Sequence, residues 1–264
     1  VGEVCAYVEQ FDSLWALATV EESVAFVARL RLARKSVPGG GDGDGAAGRA
    51  LTRKILGMLE LQGLSGALVA SLSMEARKRC SIALELVTDP EVLFLDEPTS
   101  SLDSKSAGVV AASMRLLADA GKVVICTIHQ PSTQVFACFD QLLLLQKGGR
   151  VAYFGPSGDG RRGAMARHFE GAGGSPLPSD RNPSAWVLDV LAEPPASEDS
   201  WSDVFQESSL RRDNDRKLQA LRARASPGAA AEKAGAARPS LLGRSVGALG
   251  RTWEVCKRSH WAHW

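Results

Sequence analysis

What this chain lacks narrows its nature first. No run of 18 apolar residues occurs in its 264 residues, so no segment reads as a membrane-spanning helix. No secretory leader opens it, and it starts at Val1 inside a strand-like run, which reads as a fragment of something longer. Its five cysteines (Cys5, Cys80, Cys126, Cys138, Cys256) are scattered and odd in number, and none forms a Cys-x-x-Cys pair. That argues against a disulfide scaffold or zinc cluster and fits a reducing compartment. There is no internal repeat. The 31 Lys+Arg nearly cancel the 30 Asp+Glu, so no overall charge draws the chain to nucleic acid. The charge is uneven, however, with 12 Lys+Arg against 6 Asp+Glu in residues 201–264.

Five short apolar runs read as strands: 3–8, 91–96, 122–129, 141–146 and 150–154. Helical patterns between several of them predict an α/β fold, and continuous apolar strands imply a mostly parallel, buried sheet. Ligands bind such sheets at the carboxyl ends of strands, where Asp96 and His129 fall. Helices are expected over 74–88 and 104–120, the second capped by Asp103 or Ser104 and ended by Gly121. Ser36–Gly48, rich in Gly and Asp, reads as a mobile surface loop. The Gly- and Pro-rich stretch 156–182 is expected to be largely irregular, with a short helix near Ala164–Phe169. Asn182-Pro183 is a good helix start, with Asn as cap and Pro in the first turn. Residues 225–240 read as a linker. Beyond it, Leu242, Val246, Leu249, Trp253, Cys256, His260 and Trp264 fall on one helical stripe, with Arg244, Arg251, Lys257 and Arg258 off it. That pattern suits either an ordinary surface helix or one lying in a membrane interface.

The strongest chemical signal is the run Leu93-Phe-Leu-Asp-Glu-Pro-Thr-Ser-Ser-Leu-Asp103. An apolar strand ending in Asp-Glu sets two carboxylates at the ligand edge of a sheet. An Asp so placed can hold Mg²⁺ against a nucleotide's phosphates, and the adjacent Glu can polarise water. A bare Asp-Glu pair would be explained as a solvated strand end, but eleven residues in this order are very hard to obtain by chance. The run Ile125-Cys-Thr-Ile-His-Gln-Pro-Ser132 places a histidine 32 residues after Glu97, at the end of a neighbouring strand. A lone histidine there is more often structural. Paired with the Asp-Glu strand, it can reach the same phosphate.

In this order the motifs resemble the nucleotide-binding domain of ABC transporters, a P-loop NTPase-type fold with a mostly parallel sheet and a helical subdomain. The Q-loop-like run is Tyr7-Val-Glu-Gln10, a signature-like segment precedes Arg77-Lys-Arg79, and a D-loop-like Ser101-Leu-Asp103 follows Asp96-Glu97. The runs Ile82–Pro90, His129–Ser132, Gly148–Gly155 and Asn182–Val190 are similar to the G subfamily, which includes the white-type and pleiotropic-drug-resistance transporters. The resemblance implies domains over 1–192 (helical subdomain about 11–88), a linker with a polar helix over 193–240, and an amphipathic connecting helix over 241–264 leading to a membrane domain. It favours the interfacial reading of that last helix. It also implies ATP and Mg²⁺ as cofactors, with Asp96 on Mg²⁺, Glu97 as general base and His129 on the γ-phosphate. Gln10 would touch Mg²⁺ or the attacking water and sense the membrane domain, and Asp103 would communicate across a head-to-tail dimer.

Two departures stand out. The phosphate-cradling Gly-x-x-x-x-Gly-Lys-[Ser/Thr] loop is absent. The only Gly-Lys pair, Gly121-Lys122, has Leu116 and Val123 where Gly and Ser/Thr belong. The expectation is truncation upstream of Val1, so that the isolated fragment holds ATP poorly and is inactive. The signature reads Leu72-Ser-Met-Glu-Ala76 in place of Leu-Ser-Gly-Gly-Gln. Met74 adds bulk and Glu75 adds negative charge where a helix N-terminus would meet the partner's phosphate, leaving Ser73 as donor. This is similar to the degenerate second domain of full-size drug-resistance transporters. The segment before it, Ala67–Ser71, also reads as shorter than the family norm.

The function expected is therefore ATP hydrolysis powering export of lipids or xenobiotics, at the cytoplasmic face of a membrane. The partners expected are a second nucleotide-binding domain, the chain's own transmembrane domain and, through 241–264, the membrane surface, with no nucleic acid. A soluble ABC ATPase is disfavoured by the G-type runs. A non-catalytic remnant is supported by the two departures and opposed by intact Glu97 and His129.

Overall fold

The computed structural model describes residues 4–33, 44–158, 163–196 and 200–224. They form two compact units, divided between His129 and Gln130. The loop reading of Ser36–Gly48 falls partly on 34–43, and the linker and terminal stripe fall on 225–264, all outside the described residues. From Asp44 onward that loop reading is corrected, because a helix begins there.

The first unit is built on three short parallel strands: β1 (Cys5–Val8), β2 (Val92–Leu95) and β3 (Val123–Cys126), in the order β1-β2-β3. Tyr7 pairs with Phe94, and Phe94 with Ile125. The central strand Val92-Leu-Phe-Leu95 is buried at Val92, Leu93 and Leu95, as a strand covered on both faces must be. The third strand stops at Cys126, so the stretch to His129, expected as strand, is a loop that bends at His129. Four helices accompany this sheet: α1 (Val20–Ala33), α2 (Asp44–Met58), α3 (Met74–Leu86) and α4 (Ser104–Asp119). Between α2 and α3 lie two short 3₁₀ turns, Gln62–Leu64 and Val69–Ser71. Helix α3 packs against β1, α1 and α4, sending Cys80, Ile82, Ala83 and Leu86 into the core. Burial pushes the thiols of Cys80 and Cys126 up, to about 11 and about 12, so both stay protonated and unreactive at neutral pH. Helix α4 starts where the sequence predicts, with the Asp103 carboxylate accepting from the Lys105 and Ser106 amides.

The second unit holds α5 (Thr133–Phe136), the antiparallel hairpin β4 (Gln141–Gln146) and β5 (Arg150–Pro156), then α6 (Ala164–Gly171), α7 (Pro183–Ala192), α8 (Trp201–Glu207) and α9 (Ser209–Arg224). The hairpin turns through Gly148 and Gly149, both at positive φ, a conformation glycine adopts without steric cost. Helix α7 opens on Asn182, whose side chain accepts from the Ser184 amide, with Pro183 in the first turn. The core is aromatic: Tyr153, Phe169, Trp186, Trp201 and Phe205 are all essentially buried. Phe169 meets Trp201 edge-on at 5.1 Å and Trp186 at 6.3 Å. Each indole N–H finds a carbonyl, Trp186 that of Ser175 at 3.0 Å and Trp201 that of Glu193 at 2.7 Å.

Within 193–240, expected as a linker with a polar helix, Trp201 and Phe205, four residues apart on α8, are both buried against this core. A reciprocal capping box between Ser200 and Asp203 starts this helix. Helix α9, the polar helix expected in the segment, buries no residue outright and lies along β5, with Leu210 against Gly155.

Candidate active site

Each parallel strand brings a candidate residue to its carboxyl end. The Asp96 amide donates to the Val8 carbonyl at 3.0 Å, and the Thr127 amide to the Leu95 carbonyl at 3.1 Å, so the ladder continues past the strands. This holds Asp96, Glu97 and Thr127 at one sheet edge. In β1 the side chains alternate, so Ala6 and Val8 point inward while Tyr7 stays 54% exposed.

A hydrogen-bonded cluster results. The Tyr7 hydroxyl donates to Asp96 Oδ2 at 2.9 Å, and the Thr127 hydroxyl donates to Asp96 Oδ1 at 2.7 Å. Thr127 Oγ1 also accepts from the Glu97 amide at 2.9 Å. The Gln10 side-chain amide donates to Glu97 Oε2 at 2.8 Å. Glu97 sits at φ 41°, in the left-handed region that few side-chain-bearing residues adopt. The turn after it closes with the Ser100 amide on the Glu97 carbonyl at 3.1 Å.

Of the residues singled out in sequence, Asp96, Glu97 and Gln10 come together. His129 is exposed, three residues past β3, and among the described residues it has no hydrogen bond into this cluster. Asp103 stands apart as the cap of α4, where hydrogen bonds from Ser106, and then from Lys105, hold its carboxyl below the usual range. Thr127 and Tyr7 are the residues that sequence reasoning missed as participants. Thr127 lies just past β3 and Tyr7 inside β1, so neither neighbours the carboxylate pair in sequence, and only the sheet register brings them to it.

The signature segment opens α3. Leu72 is buried, Ser73 is the N-cap residue and Met74 is 57% exposed. The Ser73 hydroxyl donates to the Glu75 carboxylate and accepts no capping bond from the helix backbone. Glu75 in turn pairs with buried Arg79 at 3.2 Å. Burial raises the Glu75 carboxyl, but Ser73, the Ala76 amide and Arg79 together outweigh it, so the carboxyl lies below its ordinary value. Glu75 therefore stays ionised, with its charge partly neutralised from within the helix.

The donors in the Asp96 cluster are all oxygen: two carboxylates, two hydroxyls and the Gln10 side-chain carbonyl, whose amide nitrogen is turned to Glu97. Such a set suits a hard divalent cation of the magnesium kind and no thiophilic metal.

This geometry is that of an ATP-binding domain of the ABC type, and comparisons with known proteins agree. The family profile described as "ABC transporter" matches residues 1–100, and one described as "ABC-2 type transporter" matches residues 129–207. The chain belongs to the ABC transporter family. Its relatives place it in the G subfamily, with the pleiotropic-drug-resistance proteins. ABC-type transporter eriD of Hericium erinaceus is 42% identical over 196 residues, 72% of this chain and 13% of that protein. Pleiotropic drug resistance protein 1 of Petunia hybrida is 38% identical over 221 residues, 81% of this chain and 15% of its own. ABC transporter G family member 32 of Arabidopsis thaliana is 37% identical over 231 residues, 83% of this chain and 16% of its own. The chain thus spans 13–16% of the length of these relatives. Among the described residues, including those under the second profile, no helix is long and apolar enough to cross a membrane.

Proposed function

We propose that this chain is the catalytic part of an ATP-hydrolysing domain that powers export through a G-type ABC transporter, at the cytoplasmic face of a membrane. The observation that carries the reading is the Asp96–Glu97 pair at the sheet edge, gathered with Gln10, Thr127 and Tyr7. Asp96 and the Gln10 side-chain oxygen would hold Mg²⁺, which when bound neutralises phosphate charge. Thr127 fixes both carboxylate-bearing residues at once, through the Asp96 side chain and the Glu97 backbone. Glu97 takes the proton of the attacking water, and Gln10 holds that carboxylate in place. His129, exposed at the same strand-end level of the sequence, is assigned to the γ-phosphate.

Two partners follow. A second nucleotide-binding domain would pack head-to-tail, so that Ser73 faces the partner's ATP. With Met74 and Glu75 in place of glycines, that opposite site binds nucleotide and turns it over poorly, while the site holding Glu97 hydrolyses. The transmembrane domain would dock beside the Q-loop, where Phe11 is 79%, Trp15 58% and Leu17 87% exposed, and where Trp15 meets Phe26 in a tilted contact at 4.5 Å. Lipids or xenobiotics are the proposed cargo class, the second in keeping with the pleiotropic drug resistance for which a relative is named.

The test is Glu97→Gln in the full-length transporter that carries this chain. The ATPase rate is expected to fall on the order of 10²–10⁴-fold, the share of a general base. Wild-type turnover in that variant refutes the assignment.

A further inference from the structure

Lys78 is an anomaly in the first unit. It lies on the second turn of α3, only 6% exposed, although an ammonium is almost never buried without partners. Its partners all lie at the end of the Q-loop-like run and just after it, at residues 9–12. The ammonium donates to the Glu9 carbonyl at 3.1 Å and the Gln10 carbonyl at 2.9 Å, and pairs with Asp12 at 2.6 Å. Ser81, one turn further along α3, donates to the same Asp12 carboxylate at 2.8 Å.

We propose that Lys78 is a positioning residue for catalysis, fastening the helix that begins at the signature to the Gln10–Glu97 pair. Lys78 grips the backbone of Gln10, and the Gln10 side chain holds Glu97 Oε2. The same helix carries Ser73 and Glu75 at its N-terminus. One rigid element thus touches both the segment assigned to the partner's ATP and, through a single ammonium, the water-activating carboxylate of its own site. The ammonium fills its three donor positions with these three partners, so the link is saturated and directional. A movement of α3 on engaging the partner would shift Gln10 with it, coupling the two ATP sites of the dimer. This rests on the ATPase reading above.

The test compares Lys78→Met, Lys78→Arg and Asp12→Asn in the full-length transporter, with Glu97→Gln as reference. Lys78→Met is expected to lower kcat roughly 10–100-fold, the effect of a misplaced catalytic group, while KM for ATP moves less than about twofold. Lys78→Arg, which can still donate to two carbonyls, should recover kcat to within about threefold of wild type. Amide hydrogen exchange without nucleotide should speed up at residues 9–12 in Lys78→Met and stay unchanged in β2. Should Lys78→Met fail to fold, Asp12→Asn carries the test, because it weakens the grip without opening a cavity and should lower kcat in the same direction. Unchanged kcat in Lys78→Met or Asp12→Asn overturns the proposal, as does a loss in Lys78→Arg equal to that in Lys78→Met. If Glu97→Gln itself turns over normally, the ATPase reading has failed instead, which separates the two.

Discussion

Replacing Thr127 by valine removes one hydroxyl and almost nothing else, since the two side chains share a shape. That hydroxyl serves two bonds, to Asp96 Oδ1 at 2.7 Å and from the Glu97 amide at 2.9 Å. A hydrogen bond to a charged group contributes about 1.5–3 kcal/mol and a neutral one about 0.5–1.5 kcal/mol. Thr127 is exposed, so water replaces both partners in the folded variant. The stability loss should therefore stay near or below about 1 kcal/mol. Catalysis is less forgiving, because water does not hold Asp96 and Glu97 in one geometry. If about half of the bonding free energy serves that positioning, kcat falls roughly 5–50-fold, at 1.36 kcal/mol per tenfold. The assay is ATPase turnover of the full-length transporter, with Thr127→Ser as the variant that keeps the hydroxyl. Thr127→Val within twofold of wild type would show that the hydroxyl orders nothing the reaction needs. Equal losses in Thr127→Val and Thr127→Ser would refute the hydrogen-bond argument in favour of a packing defect.

Two further outcomes concern the second unit. His168 lies among Tyr153, Phe169 and Phe205, and burial pushes its pKa down, against a smaller opposing bond with Ala152. Its folded pKa is depressed, so the unfolded chain binds the extra proton between that value and the ordinary ~6.5. Stability from this group is present above about pH 6.5 and is lost as pH falls below it; thermal unfolding at pH 7.5 and 5.5 should show the drop, and His168→Gln should flatten it. Trp201→Ala removes a fully buried indole and its bond to the Glu193 carbonyl, and denaturant unfolding should show a loss of about 3–5 kcal/mol. A loss under about 1 kcal/mol would mean that α8 is not part of the core.

The carboxylate pair was legible because its chemistry is written into contiguous sequence: four apolar residues, then Asp96-Glu97. The caps were legible for the same reason, since Asp103 and Asn182 act on amides two or three residues away. Thr127 and Tyr7 were not, because each reaches Asp96 from another strand, and only the register of the parallel sheet brings them there. Lys78 was invisible for a stronger reason. In sequence it sits in a polar Arg-Lys-Arg run that looks solvated, and its burial exists only because α3 packs on β1 and the loop after it. The packing within 193–224 was not legible, because its average polarity hid two aromatic residues spaced for one helix face. The hairpin was placed at 141–146 and 150–154 and found at Gln141–Gln146 and Arg150–Pro156, its turn marked by paired glycines.

Glu97 holds φ 41° and Ser101 φ 62°, four residues apart in the same loop. Left-handed backbone costs a side-chain-bearing residue roughly 1–2 kcal/mol, a cost glycine escapes. The fold alone would therefore prefer glycine at position 97, where the proposed chemistry needs a carboxylate. Stability and turnover make opposite demands on a single residue. A library of this chain sorted only for thermal resistance should accumulate Glu97→Gly, and its hardiest members would be idle engines.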